Sequence, residues 1–72
     1  MSINRISIIQ KNCNDLELQM LNRIIEWANR QEGSAKSLAP AVRALMDKSY
    51  QINNSSGSCE IIKSNQVKAI IN

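Results

Sequence analysis

Seventy-two residues make one domain at most, and at this size apolar burial scarcely exceeds the entropy lost on ordering the chain, so disulfides, a metal or a second copy are the usual supplements. Two cysteines, no histidine and no CxxC pair are too few for a disulfide scaffold or a one-chain zinc site, and one Trp and one Tyr without Phe count against a stacking platform for single-stranded nucleic acid. Nine Lys and Arg against six Asp and Glu give a net charge of +3, which is only mildly basic.

The opening run, Arg5-Ile6-Ser7-Ile8, alternates apolar and polar residues with β-branched side chains, the pattern of a half-buried strand. Ile3 extends the strand, and the alternation slips at Ile9, which falls on the side of Arg5, Ser7 and Lys11. Asn14-Asp15-Leu16-Glu17 follows as a helix start: the Asn14 side chain accepts from a free amide, and Glu17 reaches back to the cap. Leu18, Met20, Leu21, Ile24, Ile25, Trp27 and Ala28 then cover close to half the circumference of one helix. A face that wide needs partners on two sides. Trp27, at helical spacing with Leu21 and Ile24, reads as core, Glu26 and Arg30 are spaced for an i,i+4 pair, and Gly33 reads as the stop.

Ser34 or Ser37 caps a second helix, in which Pro40 falls within or just after the first turn. Leu38, Ala41, Val42, Leu45 and Met46 make a single apolar face, with Arg43 and Lys48 pointing away from it. These parts make a strand-helix-helix domain over residues 1–52. Residues 53–58, Asn-Asn-Ser-Ser-Gly-Ser, read as a flexible linker by composition, leaving 59–72 as a short tail element. Val67, Ile70 and Ile71 fit one helical turn, yet Glu60 to Lys63 and Gln66 to Ile71 fit a hairpin around Ser64-Asn65 equally well.

Charge is unevenly placed. The first helix is acidic, with Arg23 and Arg30 against Asp15, Glu17, Glu26 and Glu32, whereas Arg5 and Lys11 flank the strand without an acid, and Lys36, Arg43 and Lys48 face Asp47 alone. A basic surface meeting a polyanion has this layout. With no signal-peptide pattern and apolar runs as short as Ile24-Ile25, the expectation is a cytoplasmic protein without a membrane partner, in which Cys13 and Cys59 stay reduced. Nothing calls for a cofactor, and an enzyme is not expected: there is no histidine, Asp15 and Glu17 do not share a helix face, and no neighbour in sequence activates Cys13.

The strand, the helix ending at Gly33, the connector Gly33-Ser34-Ala35-Lys36-Ser37 and the apolar second helix together resemble the ribbon-helix-helix family of DNA-binding proteins over about two thirds of the chain. The resemblance implies an α-rich homodimer whose paired strands enter the major groove of double-stranded DNA, in a repressor or a plasmid or phage accessory protein. Arg5, Ser7 and Lys11, with Asn4 beside them, would contact bases, and Ser34, Lys36 and Ser37 would hold phosphate at the start of the second helix. Residues 59–72 would then be free to bind a protein partner. The alternative is a compact α+β fold, two helices on a small sheet built from the amino-terminal run and a carboxy-terminal hairpin. That fold suits a protein-binding inhibitor or adaptor that does not touch DNA.

Overall fold

A computed structural model describes residues 5–55 and 57–72. The elements in chain order are β1 (Ile6–Ile8), a 3-10 turn (Gln10–Asn12), α1 (Asp15–Asn29), α2 (Ala35–Leu45), β2 (Gln51–Ser55), β3 (Ser58–Lys63) and β4 (Gln66–Ile71). The strands form one antiparallel sheet in the order β1-β4-β3-β2, and both helices pack on it. This corrects the α-rich, ribbon-helix-helix expectation. The fold is α+β, and the sheet that a second copy was expected to supply comes from the chain's own carboxy-terminal half.

β1 pairs with β4, Ile6 opposite Ile71 and Ile8 opposite Ala69, so its apolar side joins the core while Ser7 faces away. The slip at Ile9 is where the strand ends. The Ile9 amide donates to the Lys68 carbonyl at 2.9 Å, the chain turns, and the Asn12 side chain donates to the Val67 carbonyl at 2.9 Å. Ile3 and Asn4 lie outside the described residues.

At the start of α1 the Asn14 side chain accepts from the Glu17 amide at 2.8 Å and Glu17 accepts from the Asn14 amide at 3.1 Å, the expected reciprocal cap. The helix ends at Asn29, and Gly33 lies in the connector. Gly33 takes φ +158°, which residues with a side chain rarely adopt, and a Cβ there would also stand 2.5 Å from the Ser37 hydroxyl. No ion pair joins Glu26 to Arg30 among the described residues. Ser34 is the cap of α2 by backbone position, Ser37 is inside the helix, and Pro40 falls just after the first turn. The helix buries Ala35, Leu38, Ala39 and Val42, with Met46 beneath its end, and leaves Leu45 exposed.

The segment 53–58 is not a linker: Asn53, Asn54 and Ser55 pair with Glu60, Cys59 and Ser58 across the β2–β3 hairpin, whose turn places Gly57 at φ +81°. Nor is 59–72 a separate tail. β3 and β4 are the two central strands, joined at Ser64-Asn65, both with positive φ as the type I′ two-residue hairpin turn requires. Leu21, Val42, Tyr50, Ile61 and Ile71 are essentially solvent-free, the aliphatic ones each contributing roughly 1.5 to 3 kcal/mol of burial.

Removing residues 53–72 strips the central strands from under both helices. We expect the truncated chain to lose the cooperative urea transition followed by circular dichroism, whereas a two-helix unit folding alone would keep it.

Candidate functional site

Two neighbouring features meet at the amino end of α1, one polar and one apolar. The polar one centres on Glu17. Its carboxylate takes the Tyr50 hydroxyl at 2.7 Å and the Asn14 amide, and Lys68 Nζ lies 3.5 Å away. The side chains of Lys68 and Glu17 are only 8% and 12% exposed, so this is a largely desolvated ion pair. Lys68 also donates to the Asn12 carbonyl and to Gln66 Oε1.

Lys68 reaches the helix side of the sheet because of a bulge. Ala69 pairs with Ile61 and Val67 with Ile62, leaving Lys68 as the extra residue between them. An extra residue bends the strand and shifts the alternation, so Lys68 and Ala69 are both buried. Around this pair lies an open cleft of about 480 Å³ with Lys63 and Asp47 at its mouth, 3.3 Å apart, and Lys63 Nζ 4.8 Å from the Tyr50 ring centre.

Electrostatics suits a structural hub. Burial pushes the Glu17 pKa up, but hydrogen bonds from Tyr50 and the Asn14 amide and the nearby Lys68 charge outweigh it and hold the pKa below 4.5. Burial, then the hydrogen bond to Glu17, push the Tyr50 hydroxyl well above its ordinary value. The Cys13 thiol is raised by burial and by Glu17, and it donates to the Lys68 carbonyl at 3.6 Å, a contact that favours thiol over thiolate.

The apolar feature is a groove of about 450 Å³ along α1, closed at one side by Leu45 from the end of α2. Leu16, Met20 and Trp27 line it, with Arg23 among them. Leu16 is 76% exposed and Leu45 55% exposed. The wide apolar arc of α1 is thus divided: Leu21, Ile24 and Ala28 are buried, and Trp27 and Met20 pack against the core on one side while opening into the groove on the other.

Of the residues expected to contact DNA, Arg5 and Ser37 donate to backbone carbonyls. The Arg5 guanidinium donates to the Gln31 carbonyl just past α1, and the Arg5 carbonyl accepts from the Asn72 amide, so Arg5 ties the end of α1 to the edge of the sheet. Ser7 is exposed on the face of the sheet away from the helices, and Lys11 lies beyond the opposite end of β1 from Arg5. Ser34 and Lys36 border a shallow cleft with the β2–β3 turn, and the Ser37 hydroxyl donates to the Ser34 carbonyl. Comparison with family models, with curated proteins and with solved structures finds no match.

Sequence reasoning placed Glu17 as a cap but did not foresee its pairing with Tyr50 and Lys68, which stand 33 and 51 residues away. Leu16 and Leu45 were missed as surface residues. The available signal was the arc on α1, too wide for one partner.

Glu17→Gln removes the charge while keeping the shape, leaving Lys68 buried without its carboxylate, and should cost about 2 to 4 kcal/mol near neutral pH. Because the Glu17 pKa is lowered on folding, its stabilisation is present above 4.5 and is lost as pH falls through the folded value. Urea titrations near neutral pH and at about pH 3 should therefore show a smaller acid loss for E17Q than for the wild type.

Proposed function

We propose that this chain is a small protein-binding adaptor or inhibitor that engages its partner through the groove between α1 and the end of α2. The observation that carries the reading is convergence. Leu16 and Leu45 are the large hydrophobic side chains left most exposed among the described residues, and both border the same groove. Scattered apolar residues are ordinary on a protein surface, whereas a clustered patch beside a partly exposed Trp has the composition of a binding hot spot.

The polar hub supports this use of the surface. Glu17 directly follows Leu16 on α1, and its contacts with Tyr50 and Lys68 hold that first turn against the sheet. The groove is thereby anchored at one end, which lowers the ordering cost of binding. Major-groove reading gains no comparable support. Arg5 is engaged with backbone, Lys63 and Lys68 are paired with carboxylates, and β1 bonds to its own chain's β4.

Selection of random peptides displayed on phage against the immobilised protein tests the reading. Enriched apolar peptides should bind the wild type and lose roughly tenfold or more in affinity on the Leu16→Asp, Leu45→Asp double variant. Enrichment that ignores the double variant, or tight salt-dependent binding of double-stranded DNA in its place, would overturn it.

A further inference from the structure

The groove has a shape and a charge that specify its occupant. Leu16, Met20, Arg23 and Trp27 are spaced four, three and four residues apart, so on α1 they fall within about 60° of one another. That spacing is the seam one helix offers to another, with gaps that receive side chains three and four apart. From Leu16 to Trp27 the seam is roughly 16 Å long, about three turns of a partner helix.

Arg23 stands in the middle of this seam. It is exposed and has no carboxylate within ion-pair distance among the described residues. Of the positions three and four away, where an acid would satisfy it within α1, Gln19, Met20 and Trp27 carry no charge, and Glu26 makes no ion pair with it among the described residues. Among the described residues it is the one charged side chain lining the groove. An apolar surface covering it would desolvate a guanidinium without compensation, which is costly unless the covering surface brings a carboxylate. A second copy does not answer this need. Pairing two such seams in parallel sets Arg23 against Arg23, and pairing them antiparallel brings the two within a turn of each other.

We propose that the occupant is an amphipathic helix of another protein, with apolar residues three and four apart and an Asp or Glu at its centre to pair with Arg23. This rests on the protein-binding reading of the groove and adds the chemistry of the partner. The guanidinium accepts a carboxylate through two parallel N–H donors, so the pair sets register as well as adding affinity.

Trp27 is the single tryptophan of the chain and lies in the groove, so its emission reports occupancy directly. The probes are two synthetic helical peptides about three turns long, alike except for Glu or Lys at the centre of a leucine face. The Glu peptide should shift Trp27 emission to the blue and bind about five- to tenfold more tightly than the Lys peptide. Arg23→Glu should reverse that order and Arg23→Gln should abolish it, each in a chain whose circular dichroism matches the wild type. Equal binding of both peptides, with no effect of either variant, overturns the acidic-helix assignment and leaves the groove a plain apolar docking surface. No emission change with either peptide overturns the protein-binding reading as well. A concentration-dependent dimer by light scattering that the Leu16→Asp, Leu45→Asp double variant abolishes assigns the groove to a second copy instead.

Discussion

Glu17 is the point on which the rest of the structure is hung. A largely buried carboxylate is expensive unless every face of it is satisfied, and here the donors come from separate parts of the chain: the Asn14 amide, the Tyr50 hydroxyl that precedes β2, and the Lys68 ammonium on β4. Lys68 can take part because the bulge beside Ala69 turns it toward the helices. A cap, a tyrosine and a bulge are therefore mutually dependent. Losing one leaves buried polar groups on the others unmatched. Such a hub adds little net stability over an apolar substitute of the same shape, but it penalises every alternative register in which the three parts do not meet.

The hub also explains how a chain this small leaves apolar side chains in water. α1 carries an apolar arc wider than the sheet and α2 can cover, and the ionic anchor at its first turn holds the helix in one orientation on that sheet. One half of the arc, around Leu21, Ile24 and Ala28, closes the core. The other half, from Leu16 to Trp27, remains on the surface beside Leu45. That part of the arc stays uncovered because of the width of the apolar pattern, and its location follows from the anchor.

Local features were the readable ones. The Asn14–Glu17 cap forms as its spacing requires, since both hydrogen bonds lie within one turn of backbone. The short strand at Ile6–Ile8 and both helices also stand close to where periodicity puts them. The Ser64-Asn65 hairpin was one of two open readings, because five apolar residues among short polar ones satisfy a strand and a helical turn alike. Residues 53–58 misled for a related reason: Asn, Ser and Gly suit a linker, but they also suit an exposed edge strand and its turn. Arg5 drew attention as a base reader because it flanks an alternating strand. Its contact with the Gln31 carbonyl depends on the distance between two segments that no local pattern encodes.

By itself the sequence determined the elements built from neighbours: the capped first helix, its over-wide apolar arc, the Pro-containing second helix, and the absence of any histidine chemistry. These depend on side chains within a turn or a strand of one another, where spacing is geometry. Only the tertiary structure decided that β1 pairs with β4 rather than with a second chain, that Lys68 meets Glu17, and which half of α1 is left uncovered. Those outcomes turn on contacts between residues far apart in the chain. They are set by whether one sheet can bury all its apolar sides at once, and that competition is resolved only when the whole chain is packed.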